Sequence, residues 1–306
     1  MLLRLIKKTP NLFFIEKRKI FYSISFFLAL ISLIALMLKG LNFGIDFKGG
    51  LLIEAKFKED TNLETLRNKI AEVNKGDFSI QALDNSNNNY LIKVELNETI
   101  DNDQEELINL IKNSFKKQFG GQIDYRRVEY VGPTVSKELV YTGIIAIIVA
   151  IISMLIYIWF RFELPFALGA VIALVHDTVL TVGMFSLTSL EFNLSTVAAI
   201  LLIIGYSMND TVVVYDRIRE NLKKFRRMEI IKLLNKSINE TLSRTINTTA
   251  TTILALVALY LFGGNIIKDF SLAMIWGIII GTYSSILIAT PVLLNMPIRK
   301  VKGEEE

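Results

Sequence analysis

Two long apolar runs, each holding an acid, constrain this chain more than any other feature. Leu174 to Asp216 reads LVHDTVLTVGMFSLTSLEFNLSTVAAILLIIGYSMNDTVVVYD, with Asp177 in the first run and Asp210 in the second. A carboxylate at the centre of a membrane helix costs roughly 2.5–3.5 kcal/mol on insertion scales, so it marks a place where something uses it. The chain is 52% hydrophobic over 306 residues, the composition of a polytopic membrane protein rather than a soluble domain. It has no Cys and one His, which excludes disulfides, thiolate metal sites, a Cys nucleophile and a His-rich metal centre. A net charge of +4 without aromatic–basic interleaving gives no reason to expect nucleic acid.

Taken in order, residues 1–19 are a basic preface with Arg4, Lys7, Lys8, Lys17, Arg18 and Lys19. Residues 20–38 carry no charge and are long enough to cross the roughly 30 Å hydrocarbon core. No A-x-A-like site follows, so the run reads as a retained anchor rather than a signal peptide. Residues 39–138 are different material, rich in charge. Leu51 to Phe57 reads as a half-buried strand, with Ile53, Ala55 and Phe57 opposite Glu54 and Lys56. Thr61-Asn62-Leu63-Glu64 is a capping box, and Leu63, Leu66, Ile70 and Val73 keep helical spacing after it. Strands follow at 77–84 and 90–96, joined by a turn over Asn85–Asn89. Asp101 opens a second helix with the stripe Ile108, Ile111, Phe115 and Phe119, which Gly120-Gly121 stops, and a final strand covers 122–131. The order is βαββαβ, the ferredoxin-like arrangement.

Four more spans are predicted at 139–160, 164–190, 192–215 and 245–262, with a sixth at 270–296. Between the fourth and fifth, residues 216–244 are basic, and Glu229 to Ser243 reads as an amphipathic surface helix. Gly277-Ile278-Ile279-Ile280-Gly281 has the small-xxx-small spacing that lets helices approach closely. Lys and Arg concentrate in the preface, at Arg161, in the 217–244 loop and in the 297–306 tail (Arg299, Lys300, Lys302), whereas Lys268 alone falls in the short loops opposite. Both termini are therefore expected in the cytoplasm and the 39–138 domain outside it.

Asp177 lies 13 residues into the third span, about 20 Å deep, with Thr181 one turn on. Burial raises a carboxyl's pKa toward the range in which protons come and go, so Asp177 is read as a proton site, the alternative being an acid neutralised by a neighbouring helix. His176 points about 100° away from it and reads as a satisfied core or interfacial histidine. Asn209-Asp210 lies about five residues from the end of the fourth span, where hydration is as good an account as function. Asp216, Arg217, Arg219 and Glu220 read as an ordinary charged interface. The fifth span opens with Arg244, then Thr245, Thr248, Thr249 and Thr252, a hydroxyl stripe leading inward from a cation. Those threonines serve equally as helix glue. No Walker loop, zincin or serine elbow is present, and the Gly49-Gly50 and Gly263-Gly264 pairs lack a phosphate-binding context. No cofactor is expected, and an ion gradient is the available source of work.

Five stretches carry a family resemblance: Gly40 to Gly50 (GLNFGIDFKGG), Val131 to Leu139 (VGPTVSKEL), Ala173 to Asp177 (ALVHD), Gly205 to Asn221 (GYSMNDTVVVYDRIREN) and Asn239 to Thr245 (NETLSRT). The sequence resembles the SecF family, the smaller membrane subunits of the bacterial SecDF accessory complex of Sec protein export. It departs from the family pattern at Lys48, where Thr is usual, and at Ser136, where Gly is usual. The resemblance implies an RND-like six-span half, a SecD partner completing twelve spans, and proton flow coupled to late steps of preprotein translocation at the inner membrane. It further implies the SecYEG channel, YajC and YidC as companions. By the same resemblance Asp177 belongs to a proton relay at the SecD–SecF interface, Arg244 is its basic neighbour, and Asp210 is a weaker member. Two other readings stay open: an RND-type half-transporter exporting a lipid or small molecule, for which the roughly 90-residue outer segment is small, and a passive scaffold indifferent to charge at Asp177 and Asp210.

Overall fold

The computed structural model describes residues 10–57, 63–73, 78–83, 88–95, 104–118, 123–263 and 265–298. Arg4, Lys7 and Lys8 of the preface, Thr61 and Asn62 of the capping box, Asp101, Phe119, the Gly120-Gly121 stop, Gly264, residues 85–87 of the predicted turn and the tail cations lie outside these residues. The chain forms two compact units, one of Phe43–Ile144 with Glu191–Leu194 and one of the rest.

The smaller unit contains β1 (Asn42–Phe43, whose second residue belongs here), α2 (Ile45–Lys48), β2 (Gly50–Phe57), α3 (Leu63–Val73), β3 (Phe78–Ala82), β4 (Asn89–Glu95), α4 (Gln104–Gln118) and β5 (Ile123–Val131). From β2 to β5 this is the predicted βαββαβ order. The strands form an antiparallel sheet in the order β3-β4-β2-β5, which gives the two centre positions to the strands with the most buried side chains. One face presents Leu51, Ile53, Ala55, Phe57, Ile92 and Val94 to Leu66 and Ile70 of α3 and to Ile111 and Phe115 of α4. Leu63 is 43% exposed, so the apolar stripe of α3 begins one turn later than its spacing predicts. On the opposite face, Leu52 and Leu91 pack on Ile45 of α2. Gly50 has φ +159°, and a Cβ there would stand 2.5 Å from the Val94 carbonyl oxygen. That position takes glycine because β2 starts flush against β4. Lys48, one of the two departures from the family pattern, pairs with Glu95 at 2.7 Å, and Ser136, the other, is buried with its hydroxyl donating to the Gly132 carbonyl at 3.0 Å. The rings of Tyr90 and Phe115 meet Phe57 edge-on at 5.8 and 5.9 Å. Phe115→Ala is expected to destabilise this domain by about 3–5 kcal/mol, through lost burial and a residual cavity. Limited proteolysis of the purified chain in urea measures it.

The larger unit is a helical bundle. Among the described residues, six helices are long and apolar enough to cross a membrane. They are α1 (Arg18–Lys39), α5 (Pro133–Arg161), α6 (Leu164–Thr188), α7 (Leu194–Lys224), α8 (Ile230–Phe262), and α9 (Asn265–Ser284) with its continuation to Asn295; β6 (Glu191–Phe192) lies between α6 and α7. Two helices run past the predicted spans: α7 continues to Lys224, and α8 is unbroken from Ile230 to Phe262, so the predicted surface helix and the fifth span lie on one helix. The physical reason is that Leu233, Leu234, Ile238 and Leu242 make an apolar stripe buried inside the protein, and no helix breaker separates Ser243 from Thr245.

This stripe also receives the N-terminal segment. Asn239 accepts from the Leu12 N–H (3.0 Å) and donates to the Leu12 carbonyl (2.9 Å). Asn235, one turn away, accepts from the Phe14 and Ile15 N–H groups at 2.9 and 3.0 Å and donates to the Glu16 carboxylate. Ile15, within this segment, is fully buried. Asn235→Ala leaves two main-chain donors without acceptors, at about 1–3 kcal/mol for each that stays buried. The expected outcome is faster tryptic cleavage at Lys17 and Arg18, read by mass spectrometry.

Helices α7 and α9 run side by side in a constant register. Gly277 admits Ile203, Gly281 admits Ser207, Thr211 bonds Ser285, and the Tyr215 hydroxyl reaches the Ala289 carbonyl, the last two pairs each 74 residues apart in sequence. The predicted Gly277–Gly281 spacing is thus the face that brings α9 against α7. Immediately after Ser284 the helix widens into a π turn over Ser285–Ala289.

Candidate functional site

Asp177 is 1% exposed, on the face of α6 that meets both α7 and α9. Its Oδ2 accepts from the Ser207 hydroxyl at 2.6 Å and from the Ser284 hydroxyl at 2.7 Å. Ser207 is delivered by the close approach at Gly281, and Ser284 stands on the last turn before the π segment. Oδ1 lies 3.0 Å from Nδ1 of His176. The imidazole therefore folds back onto its neighbour instead of pointing away, and Nε2 is buried with no protein partner among the described residues, so the expectation of a satisfied histidine does not hold. Thr181 shares the face of Asp177, yet its hydroxyl donates to the Asp177 carbonyl at 2.7 Å and not to the carboxylate.

The chemistry of this cluster follows from what is around the acid. Among the described residues no Lys or Arg pairs with Asp177; its one ion-pair neighbour is His176, which is charged only when protonated. Serine hydroxyls can donate to a carboxylate and can turn to accept from a carboxylic acid. The two serine hydroxyls can therefore bond the Asp177 side chain whether it is ionised or neutral.

Asp210 is 2% exposed and belongs to a second, adjoining cluster on the same α7–α9 seam. Thr282 donates to its Oδ2 at 3.3 Å and bonds Thr249 of α8 at 2.9 Å. Arg244 is exposed and forms no ion pair among the described residues. Of the predicted residues, the structure brings Asp177 together with His176, and links Asp210 through Thr282 to Thr249 of α8, while no contact joins it to Arg244 among the described residues. Thr248 is not in either cluster; it donates to the carbonyls of Arg244 and Thr245 within its own helix. Asn209 is exposed on α7. Sequence reasoning missed Ser207, Ser284, Ser285, Thr211 and Thr282. The signal for the α9 group was Thr282-Tyr283-Ser284-Ser285, four consecutive polar side chains in an otherwise apolar span.

The basic end of the bundle is held by paired charges, as the sequence indicates. Asp216 pairs with Arg161 at 3.2 Å, and Arg217 reaches Glu220 at 2.6 Å and Glu240 of α8 at 2.7 Å. Asn221 adds bonds to Ser237 and Glu240.

Six long apolar helices among the described residues, two of them carrying buried acids, define an integral membrane protein. The protein-export membrane protein SecD/SecF C-terminal model matches residues 111–299, and the SecD/SecF GG motif matches residues 34–61. The chain is 44% identical to the protein translocase subunit SecF of Rickettsia felis over 298 residues, 97% of this chain and 96% of the relative. It is 43% identical to that of Rickettsia akari over 302 residues, covering 99% and 97%. The crystal structure of SecDF, a translocon-associated membrane protein from Thermus thermophilus, superposes with a TM-score of 0.80 at 33% identity over 94% of this chain. A super-membrane-facing form of SecDF gives 0.69 at 34% identity over the same share. The chain spans 38% and 39% of those two SecDF chains. The chain belongs to the SecD/SecF family, as a SecF-type subunit of protein export: a multi-pass transport component and not a chemical catalyst.

Proposed function

We propose that this subunit pairs with SecD in the inner membrane, with both termini in the cytoplasm, and uses the proton motive force to drive late, ATP-independent steps of preprotein translocation. The observation that carries the reading is the Asp177 carboxylate, buried to 1% and bound only by groups that can reverse their hydrogen bonds. Asp177 takes a proton from the outer side and releases it to the cytoplasm. Asp210 with Arg244 forms a second acid–base station beside it. Neutralising Asp177 weakens its hold on Ser207 and Ser284 and so changes how α7 and α9 sit on α6. The outer domain, tethered through residues 43–50 and 131–139, transmits that change to a preprotein emerging from the SecYEG channel, with YajC and YidC as further companions.

The SecD pairing is supported by the solved SecDF chains, of which this chain matches little more than a third. It is also supported by α5, which exposes Ile144, Ile148, Ile152, Ile156, Trp159 and Phe160. The test is export into vesicles carrying this subunit with SecD, with and without a proton gradient. Asp177→Asn and Arg244→Ala are each expected to lose the gradient-dependent part. Unchanged export in both variants rules the relay out.

A further inference from the structure

We infer that His176 passes protons between Asp177 and the basic end of the bundle, along a water-bridged route on the α1 side that also uses Tyr283, Ser25 and Tyr22. The inference rests on the reading of Asp177 as a proton site and adds the direction in which the proton leaves it.

His176 has one ring nitrogen on the acid, with Nδ1 3.0 Å from Oδ1, while its side chain is 9% exposed. Its other nitrogen, Nε2, is buried and has no protein partner among the described residues. An unpaired buried polar atom is costly, and most such groups are bonded to protein or to ordered water. Imidazole is the side chain that can take a proton on one nitrogen and give one up from the other near neutral pH. The geometry therefore has one nitrogen on Asp177 and one free to serve water.

The α1 side supplies the remainder. The Tyr283 ring lies against the His176 ring, with centroids 6.2 Å apart. Its hydroxyl is 2.7 Å from the Ser25 hydroxyl and 3.1 Å from the Phe21 carbonyl. Tyr22, next to Phe21, carries a second buried hydroxyl without a protein partner among the described residues. Arg18, Tyr22 and Ser25 stand at i, i+4 and i+7, one face of α1. Two orphaned polar atoms thus flank a hydroxyl pair on a helix face that ends in a cation. Lipid tails satisfy neither atom, whereas water bonds both. The Asp210 cluster leads elsewhere, through Thr282 to Thr249 on α8.

The test is proton flux in vesicles carrying this subunit with SecD and an enclosed pH-sensitive dye. His176→Gln is expected to lower flux by about a hundredfold, the scale of a lost proton-transfer group. Tyr22→Phe is expected to lower it as well, and added imidazole to restore flux to His176→Ala but not to Asp177→Asn. Wild-type flux in His176→Gln or in Tyr22→Phe, with Asp177→Asn inactive, overturns the route and leaves the Asp177 reading standing. Wild-type flux in Asp177→Asn overturns that reading itself. Should the His176 variants fail to co-purify with SecD, Tyr22→Phe decides the matter: normal flux there sinks the route, and reduced flux in a normally assembled complex supports it.

Discussion

Asp177→Asn is expected to remove the gradient-driven component of export and to leave the folded subunit intact. The amide has the shape of the carboxyl, and the hydroxyls of Ser207 and Ser284, at 2.6 and 2.7 Å, can bond its oxygen or turn to accept from its NH2. Thr181 bonds the main chain at this position and is indifferent to the change. What the variant lacks is a second charge state. A charge crossing the whole membrane at 100 mV releases about 2.3 kcal/mol, and no part of that can be captured by a side chain that never titrates. Vesicle export should fall to the level seen without a gradient, while co-purification with SecD and thermal unfolding stay at wild-type values. Asp177→Leu is a different experiment. It strands the Ser207 hydroxyl at a cost of about 1–3 kcal/mol, so lost export there would mix mechanism with stability.

The second large effect belongs to a residue with no chemistry. Gly281→Val is expected to prevent normal assembly of the bundle. A Cβ at Gly281 would stand 2.8 Å from Ser207 Cβ and 3.2 Å from Ser207 Cα, and the second of these is backbone that cannot swing aside. Overpacking in a well-filled core costs about 1–3 kcal/mol, and here it also draws Ser207 away from Asp177. Gly277 is under the same constraint from Ile203. Gly205 is the control: nothing lies within 4 Å of a Cβ there, so Gly205→Ala should be neutral or stabilising by up to about 1 kcal/mol. Fluorescence-detected size exclusion after a heating series distinguishes the three variants. Equal melting of Gly281→Val and wild type would show that the α7–α9 contact does not limit stability.

Much of this architecture could be read from the chain, because hydrocarbon and water sort residues by simple rules. Span number follows from runs of apolar length, and the βαββαβ order follows from period-2 strands such as Leu51–Phe57 set against helical stripes such as Ile111 and Phe115. Helix ends were less legible. The basic stretch from 217 to 244 suggested a connection holding a separate surface helix over 229–243, but charge opposes membrane burial and not helix formation, and the apolar stripe from Leu233 to Leu242 kept α8 whole. At the site, Asp177 was visible because an acid in an apolar run is costly wherever it points. Its partners were not. A serine in a membrane helix most often bonds its own carbonyls, and only tertiary packing decides that Ser207 and Ser284 converge on one oxygen. The His176 rotamer is likewise a tertiary fact: helical spacing separates neighbours by about 100°, and side-chain torsions can undo that separation.

The π turn at Ser285–Ala289 fits one more residue into the helix than an α-helical path would hold. Thr290 donates to the Ser285 carbonyl at 2.9 Å, and Tyr215 donates to that of Ala289 at 3.1 Å, so the carbonyls at both ends of the widened turn are stoppered by side chains. Excising any one of those five residues would let the rod close up and swivel everything beyond it by roughly a third of a revolution. Leu293, wholly enclosed at present, would be turned out of its present packing, while Ser284, ahead of the turn, would keep its place. The extra residue thus sets the rotation of the segment beyond it relative to the part of α9 that touches Asp177.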